Sequence, residues 1–396
     1  MVLFLHNRYR TTGGEERVVE DLLWLVREHL DEPAELLERD SARIGRSAAA
    51  LGLLAGGLAP AEVASAVRLS RARVVHAHNL QPALGWRALA AARRAGARVV
   101  LHLHQYRLVC ATGVCFTRGA ECTRCHGRNT LPGIRLNCRG SAPEALAYGA
   151  SLALWQRRMS EQADAVIVPS VFARERLREL GAPLPWERVH VLAPPLRPAH
   201  VAVDDHAGLS ATDASGAREA ETRARAAGRY ALVVSRLAPE KGVDVAIDAC
   251  RLAAIPLLVA GEGPEYQALR DRVRGGEVRF LGGVADAELA RLRAGAAIAL
   301  APSRSAETFG LAAAEAMAAG VPVAASRVGA LPELVPEEGL VPAGDPRALA
   351  AAIERLAGDR QAGERGRERA LVICSPEAVS RALAGIYGGP TLSRSP

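Results

Sequence analysis

The chain has 396 residues, which is enough for two domains of ordinary size. Its apolar content of 49% and charged content of 23% are typical of a folded globular protein and exclude a disordered chain. The formal net charge of +7 favours contact with an anion such as nucleic acid, a lipid surface or a phosphorylated small molecule, although compositional drift explains it equally well.

The N-terminal segment MVLFLH is an apolar run that ends at a histidine, and it does not predict a secretory signal. Residues 47–67 come nearest to a membrane span, but Pro60 and Glu62 interrupt them, so we expect helix and turn there. We therefore expect a cytoplasmic protein with reduced cysteines.

Short apolar runs alternate with longer amphipathic segments over residues 1–198. Helices are predicted at 15–30, 82–95 and 171–180, and an irregular segment follows residue 103. Strands are predicted at 2–5, 74–77, 99–103, 165–168 and 189–192. Buried runs that alternate with helices indicate a parallel sheet covered on both faces. Residues 199–228 have few large apolar groups and are interpreted as a linker.

The same pattern starts again in a second domain, which we place at 229–374. Helices are predicted at 242–254, 264–273, 286–294 and 310–319. Strands are predicted at 230–235, 256–261, 278–282, 297–303 and 321–326. The predicted class is therefore α/β, with two Rossmann-like doubly wound domains that face each other across a cleft, the usual place for a ligand.

Three predicted strands of the first domain end in histidine, at His6, His78 and His104. Ligands of open parallel sheets bind beyond the carboxyl ends of the strands, so we expect these imidazoles in one crevice beside Asn7, Asn79 and Tyr106. A single histidine of this kind is more often structural, but three at equivalent positions favour a site. Gly13 and Gly14 follow the first strand and permit close backbone approach at a helix start.

The loop SRLAPEKG contains Lys241, the only lysine among 50 lysine and arginine residues. It places Arg236 and Lys241 between a strand end and a helix start, an arrangement that suits phosphate. Gly261 and Gly263 form a second turn of this type. An ordinary solvated charge pair remains the alternative for Arg236.

Two carboxylates, Glu307 and Glu315, lie eight residues apart. We expect ETFG to be a loop and the helix to start near Gly310, so that Glu307 faces the cleft from the loop and Glu315 from the second turn. Backbone amides of Phe309, Gly310 and Leu311 would then lie between the two carboxylates.

Taken together, these segments resemble family 4 glycosyltransferases, which are retaining, nucleotide-sugar-dependent enzymes of GT-B fold. The resemblance is strongest over 230–345, in SRLAPEKG, VAGEGPE, FLGGVADAEL, PSRSAETFGLAAAEAMAAGVPVAAS and GALPELV. HNRYRTTGGEERVVE, VVHAHN and HLHQYRLVC look like acceptor-domain motifs of a bacterial branch. The resemblance implies transfer of a sugar from a UDP- or GDP-linked donor to a hydroxyl acceptor. It also implies that residues 375–396 form a helix and tail that return to the first domain.

The resemblance implies catalytic roles for four residues and binding roles for the others. Arg236 and Lys241 would hold the donor diphosphate, Glu307 the sugar hydroxyls and Glu315 the ribose, with His104 against the transferred sugar. The donor-binding set is Gly13, Gly14, Gly261, Gly263, Val284, Thr308, Phe309, Gly310, Leu311 and Glu315. The acceptor-side set is His6, Asn7, Tyr9, His78, Asn79 and Tyr106.

No catalytic metal is expected, because the chain lacks an Asp-x-Asp element for a divalent ion. Cysteines 115, 122, 125 and 138 nevertheless have a spacing that suits a structural zinc ion, in an insert that we place at 107–140. Cys110 is a fifth cysteine in the same segment. Small buried thiols or a labile disulfide are the alternatives.

Three other functions compete with glycosyl transfer: a GT-B nucleotide-sugar epimerase or hydrolase, a phosphorylase, and a basic nucleic-acid-binding protein. A phosphorylase would need a lysine for pyridoxal phosphate, and the only lysine already lies in a phosphate loop. An aromatic content of 4% argues against nucleic acid as the partner. The basic surface is compatible with peripheral contact with an anionic membrane.

Overall fold

The computed structural model describes residues 1–9, 13–198, 230–274 and 277–389. The linker expected at 199–228 lies outside these residues. The chain divides into two compact units, one of Met1–Pro195 with Pro376–Pro396 and the other of Leu196–Ser375. Each unit is built around one six-stranded sheet, and the prediction of two parallel-sheet α/β domains is confirmed.

The first unit contains a parallel sheet with helices between its strands. Its strands are β1 (Val2–Arg8), β2 (Ala34–Asp40), β3 (Val74–Ala77), β4 (Arg98–His102), β7 (Ala165–Val168) and β8 (Val189–Val191), and β5 (Phe116–Thr117) and β6 (Ala120–Glu121) pair separately. Its helices are α1 (Gly14–His29), α2 (Arg46–Ala55), α3 (Pro60–Ser70), α4 (Gly85–Arg94), α5 (Leu131–Arg135), α6 (Ala142–Glu161), α7 (Val171–Glu179) and α15 (Pro376–Gly388).

The sheet order in this unit is β2-β1-β3-β4-β7-β8, and all these neighbours are parallel. The chain order therefore reverses at β1 and β3, whose carboxyl ends meet at one edge of the sheet. Val2 of β1 pairs with Ala34 of β2 on one side and with Val74 of β3 on the other. Alternate side chains of the central strands, such as Leu5 and Leu101, fill a core under the helices.

Two of the longer elements of the first unit were not predicted. β2 has the sequence AELLERD, and only its first residue is buried, because it is an edge strand with one neighbour. α6 covers 20 residues in a region that we expected to be irregular. Small residues make up much of its sequence, so the apolar period that normally marks a helix is weak.

The second unit repeats the plan with a different strand order. Its strands are β9 (Ala231–Val234), β10 (Leu257–Ala260), β11 (Val278–Gly282), β12 (Ile298–Ala301), β13 (Val323–Ser326) and β14 (Leu340–Val341). Its helices are α8 (Val243–Leu252), α9 (Tyr266–Arg272), α10 (Asp286–Ala294), α11 (Leu311–Ala318), α12 (Leu331–Leu334), α13 (Pro346–Leu356) and α14 (Arg360–Cys374).

The order β11-β10-β9-β12-β13-β14 is that of a Rossmann sheet, and the chain order reverses between β9 and β12. Ala231 of β9 pairs with Leu257 of β10 and with Ile298 of β12. Ligands of such sheets bind outside the carboxyl ends of the strands at this reversal. The loops that follow β9 and β12 are therefore the first place to look for a site.

Two helical regions have the length and apolar composition of a membrane span. Among the described residues, Arg360–Gly388 is long and apolar enough to cross a membrane, and 39% of its apolar window is buried inside the protein. α2 and α3 reach that length only if they are joined, and they are bent by 77° at the break between them. The expectation of helix and turn over 47–67 is thus confirmed, and neither region is more than weak support for a span.

Candidate functional site

The loops after β9 and β12 meet through a charged pair. Lys241 Nζ donates to Glu307 Oε1 at 2.6 Å, and Ser303 Oγ donates to the same oxygen at 2.5 Å. Both partners of the pair are mostly buried, since the side chains of Lys241 and Glu307 are 26% and 17% exposed. The only lysine of the chain is therefore at the strand reversal of the second sheet, as the sequence led us to expect.

Burial alone would raise the pKa of Glu307. The charge of Lys241, the hydrogen bonds from Lys241 and Ser303 and the charge of Arg236 outweigh it, and the pKa is lowered. Glu307 is therefore a carboxylate at neutral pH, able to accept hydrogen bonds from hydroxyl groups. Ser303 was not identified from the sequence, because a serine after a buried strand carries no distinctive signal.

Backbone contacts hold the two loops together around this pair. The amide of Arg304 donates to the carbonyl of Glu240 at 2.8 Å, and the Arg304 guanidinium forms two hydrogen bonds with Asp244, of 2.7 and 2.6 Å. Gly242 has φ of +63°, and a Cβ there would lie 2.1 Å from the carbonyl oxygen of Pro302. Only glycine permits this approach, so the residue after Lys241 fixes where the lysine lies.

Arg236 lies beside this pair at a more exposed position. Its guanidinium forms an ion pair with Glu240, and its side chain is about half exposed. Four donor groups remain on the guanidinium for a ligand, because one Arg236–Glu240 contact uses only part of the fork. The alternative of a solvated surface pair and the proposed anion contact are thus compatible at this residue.

The helix α11 begins where the sequence placed it. Gly310 is its N-cap with φ of +101°, and no side chain caps the first turn. A Cβ on Gly310 would lie 2.6 Å from a methyl group of Leu331. The loop that contains Glu307 and Thr308 is closed from the other side by Ala330, whose amide donates to the Glu307 carbonyl at 2.8 Å. Phe309 is buried, which anchors the start of the helix.

Glu315 lies differently from the expectation that it would face an open crevice. It is 3% exposed and forms an ion pair with Arg293, which is itself fully buried. Six of the eight residues of α11, Ala313–Ala318, are buried, so the position of Glu315 does not reach solvent. The predicted ribose contact remains a prediction, and the arrangement gives Glu315 a structural partner that the sequence did not reveal.

Gly261 and Gly263 pack against backbone and leave no space for a side chain. A Cβ on Gly261 would lie 1.9 Å from the Ser235 carbonyl, and one on Gly263 would lie 2.2 Å from the Leu237 carbonyl. Their glycine identity is therefore explained by close contact with the loop after β9. Val284 follows β11 and packs, partly buried, against the side chains under α10.

The first unit contains a cluster of histidines at the carboxyl edge of its sheet. The structure adds two members to His6, His78 and His104, namely His76 and His102. His78 Nδ1 and His104 Nε2 are 2.7 Å apart, and His76 Nε2 and His102 Nδ1 are 3.2 Å apart. The added pair was missed because each lies within a strand, two residues before the histidine that follows that strand.

The helix α15 packs against this histidine cluster through Tyr387. Tyr387 OH and His76 Nδ1 are 2.8 Å apart, and Arg98 Nε donates to the Ile386 carbonyl at 3.0 Å. Burial lowers the pKa of His76 and of His104 to about 3, with a smaller contribution from neighbouring imidazoles. His76 and His104 are therefore neutral at physiological pH and act as hydrogen-bond partners, not as charges.

His76, His78 and His102 offer ring nitrogens within 4.8 Å of one another, the closeness that a metal ion requires. Their rings are stacked, with an angle of 7° between His76 and His102 and 30° between His76 and His78. The lone pair of an imidazole lies in the ring plane, so stacked rings direct their lone pairs side by side and not toward a common point. Both nitrogens of His76 are also already hydrogen-bonded.

Three residues predicted on the acceptor side also have structural contacts, and their acceptor role stays a prediction. The amide of Asn7 donates to the Asn79 carbonyl at 2.7 Å, and Asn79 Nδ2 donates back to the Asn7 carbonyl at 2.5 Å. This pair joins the end of β1 to the loop after β3, and both side chains are buried. Tyr106 is 1% exposed and packs in the hydrophobic core, because the turn after His104 directs it inward.

Tyr9 lies in a buried polar group that the sequence only partly indicated. Its hydroxyl donates to Glu15 Oε2 at 2.8 Å, and the Arg107 guanidinium lies 4.8 Å from its ring centre. Burial raises the pKa of Glu15. Glu16 Oε2 accepts from the amide of Gly13, the N-cap of α1, at 2.8 Å, while Gly14 begins the helix. The capping pattern at Gly13 and Glu16 was the available signal.

Comparison with known proteins accounts for both units. Residues 11–195 match the family described as "Glycosyl transferase 4-like domain", and residues 228–359 match "Glycosyl transferases group 1". The chain belongs to the family 4 glycosyltransferases. Together the two matches cover most of its length and leave residues 196–227 between them.

Solved structures share the fold over the whole length. HepE of Anabaena, determined with UDP and glucose, has 20% identity and a TM-score of 0.63, covering 97% of this chain and 98% of its own. Sucrose-phosphate synthase of Thermosynechococcus elongatus has 20% identity and a TM-score of 0.67, covering 98% of each chain. The fold of this chain is therefore GT-B.

Curated relatives match over shorter stretches. A GDP-mannose-dependent alpha-(1-6)-phosphatidylinositol dimannoside mannosyltransferase of Mycobacterium tuberculosis is 36% identical over 160 residues, 38% of this chain and 41% of its own. An MMP alpha-(1->4)-mannosyltransferase of Mycolicibacterium hassiacum is 42% identical over 113 residues, 26% of this chain and 27% of its own. The chain thus matches less than half the length of these relatives.

Proposed function

We propose that this protein is a retaining glycosyltransferase that transfers a sugar from a nucleoside diphosphate sugar to a hydroxyl acceptor in bacterial glycoconjugate or secondary-metabolite biosynthesis. The observation that carries the proposal is the Lys241–Glu307 pair at the strand reversal of the second sheet. A cation and a carboxylate in one place suit the two halves of such a donor, since one is an anionic diphosphate and the other a set of sugar hydroxyls.

In this proposal Lys241 and Arg236 hold the diphosphate oxygens. As the glycosidic bond breaks, negative charge develops on the leaving diphosphate, and two cations beside an uncapped helix start stabilise that charge. The backbone of Thr308, Phe309, Gly310 and Leu311 would supply the amides. The donor brings both cations into contact with its diphosphate when it binds, so little reorganisation is required later, when the charge appears.

Glu307 positions the sugar in this proposal. Its lowered pKa keeps it ionised, so it accepts hydrogen bonds from sugar hydroxyls without donating any. Binding of the donor must compete with the Lys241–Glu307 contact for the same lysine. We propose that Lys241 shifts toward the phosphate while Ser303 continues to hold the carboxylate.

His104 is proposed to contact the transferred sugar, and Gly13 and Gly14 the diphosphate. His104 is half-buried and neutral, and its Nε2 lies at 2.7 Å from His78 Nδ1. A neutral imidazole held in this way can share a hydrogen bond with a hydroxyl without adding charge next to a developing oxocarbenium ion. Retention would follow from attack on the face that the diphosphate leaves, with the acceptor hydroxyl beside the departing oxygen.

The ligands and donors of similar proteins support a nucleotide-linked donor. HepE was determined with UDP and with UDP-glucose, and the mycobacterial relative is GDP-mannose-dependent. We propose a UDP- or GDP-linked hexose for this chain, with an acceptor that is a glycan, a lipid-linked sugar or a small molecule. We further propose a cytoplasmic location, with the net charge of +7 available for contact with an anionic membrane face.

A donor screen tests the proposal. Purified protein is incubated with UDP-, GDP- and ADP-sugars and a panel of hydroxyl acceptors in excess EDTA, and products are identified by mass spectrometry and their anomeric configuration by NMR. We expect one nucleotide class to be consumed, with retained configuration and no need for a divalent ion. An inverted product, strict metal dependence, or binding of DNA in preference to every nucleotide would contradict the proposal, and release of free sugar alone would indicate a hydrolase.

A further inference from the structure

Five of the seven cysteines line one cavity in the first unit. They are Cys110, Cys115, Cys122, Cys125 and Cys138, and Thr112, Thr117 and Gly133 also line this cavity. All seven cysteines are free thiols. The other two, Cys250 and Cys374, are buried in the second unit. Soft thiolate groups gathered in one place are the donor set of structural zinc.

The segment that holds these cysteines has little secondary structure to support it. β5 and β6 contain two residues each, and α5 contains five. Such a segment buries too little apolar surface to stabilise itself. An ion that joins its turns would replace the missing core.

Cys110 lines the cavity and is partly exposed, as are Cys122, Cys125 and Cys138. Its sulfur lies 3.2 Å from the Thr112 hydroxyl. The amide of Gly113 donates to the Cys110 carbonyl at 2.9 Å, which closes a turn at this cysteine. A partly exposed thiol on a cavity wall is accessible to an ion.

Cys115 has the opposite surroundings. It is 1% exposed and packs in the hydrophobic core, whereas the other four cysteines are partly exposed. Its backbone has φ of +49°, a conformation that costs a non-glycine residue about 1–3 kcal/mol and persists where surrounding contacts fix it. A thiol held in this way is not itself available to an ion.

The other three cysteines lie on the remaining walls of the cavity. Cys125 Sγ donates to the Thr130 carbonyl at 4.0 Å, and Cys138 Sγ lies 3.7 Å from the Thr117 hydroxyl. Cys122 and Cys125 are separated by two residues, the spacing that lets one turn offer two ligands to the same ion.

We propose that Cys110, Cys122, Cys125 and Cys138 bind a structural zinc ion as thiolates, and that Cys115, which is buried in the core, stays a thiol. This assignment replaces Cys115 by Cys110 in the set that spacing alone suggested. Among the described residues, the group of possible metal ligands whose atoms all lie within 4.8 Å of one another is His76, His78 and His102. The four thiols do not meet this distance, so they must move closer together when the ion binds. The ion would thereby fix the wall that follows His104 along the chain.

Metal content and spectroscopy of the full-length protein test the assignment. Protein purified under reducing conditions is expected to contain about one zinc ion per chain by elemental mass spectrometry. After exchange into cobalt(II), it should show thiolate-to-cobalt charge transfer and the ligand-field bands of a tetrahedral site. Removal of the ion with a strong chelator should lower the thermal unfolding midpoint.

Alanine variants distinguish ligands from the buried thiol. Cys110→Ala and Cys122→Ala should lose the ion, while Cys115→Ala and the control Cys250→Ala should retain it. Wild-type protein that contains no zinc and gives no cobalt charge-transfer band overturns the proposal, even if some variants fail to fold. Loss of the ion in Cys115→Ala with retention in Cys110→Ala overturns the ligand assignment. A disulfide among these cysteines in protein purified under reducing conditions overturns the site.

Discussion

Replacing Lys241 by alanine should reduce both stability and transfer. The change leaves the Glu307 carboxylate without its cation in a largely buried place. Removing one partner of a fully buried pair costs about 3–5 kcal/mol. Because the Lys241 and Glu307 side chains are 26% and 17% exposed, solvent screens part of this, and we expect a loss of about 2 kcal/mol. Loss of a fixed cation at the leaving group should lower kcat by about 100- to 1,000-fold.

Four further proteins separate these effects. Glu307→Gln should cost less in the Lys241→Ala background than alone, because the unpaired charge is then gone, with a coupling energy of about 0.5–3 kcal/mol between Lys241→Ala and Glu307→Gln. Lys241→Arg keeps the charge and should unfold close to wild type. Its planar guanidinium does not reproduce the compact point charge of an ammonium, so transfer should still fall. The control Arg272→Ala removes an exposed pair with Asp248 and should cost less than about 1 kcal/mol.

Urea unfolding gives the stabilities, and initial rates of nucleotide release with the preferred donor give turnover. The reasoning is refuted if Lys241→Ala unfolds at the same urea concentration as wild type and the double variant shows no coupling. Wild-type turnover in Lys241→Arg would show that any cation suffices, and the single lysine would then have no particular role.

Three other changes probe the structure. Glu315→Gln removes the carboxylate that pairs with the buried Arg293 guanidinium, so the free energy of unfolding should fall by up to about 3–5 kcal/mol. An unchanged melting temperature would contradict the buried pair. Gly242→Ala should destabilise by more than about 1 kcal/mol because its Cβ meets backbone at a positive φ, whereas Gly320→Ala, also at positive φ but with open space around it, should cost less, and equal losses in calorimetry would contradict the close contact. His76 has a pKa of about 3 in the folded protein against about 6.5 in the unfolded chain, so the unfolded chain binds the extra proton. Stability should therefore fall as the pH drops from about 6.5 toward 3, by up to about 1.4 kcal/mol per pH unit for this residue. If the urea midpoints of His76→Gln keep the wild-type dependence on pH, this assignment is wrong.

The sequence predicted the plan of both sheets because their central strands are continuous buried runs. It predicted the loop around Glu307 and the start of α11 because Gly310 interrupts an apolar period at the right place. The edge strand β2 could not be predicted in the same way, since six of its seven residues stay in contact with solvent and show no buried pattern.

Side-chain partners were less predictable than elements. Glu315 was correctly placed on α11, but its burial against Arg293 depends on how α10 packs, which periodicity does not contain. Tyr106 follows a functional-looking histidine, yet the turn that begins there directs it into the core. His76 and His102 could have been found by counting alternate residues back from His78 and His104, because every second residue of a strand lies on the same face.

A chain with a single lysine also has a single ε-amine. Apart from the α-amino group of Met1, an amine-reactive acylating reagent therefore has one target, and that target lies in the proposed donor site. The fraction of Lys241 that is acylated in the presence of increasing nucleotide would report occupancy of the site directly, without an acceptor and without turnover. An endoprotease specific for lysine would cut the denatured, unlabelled chain once, and acylation of Lys241 would abolish that cut.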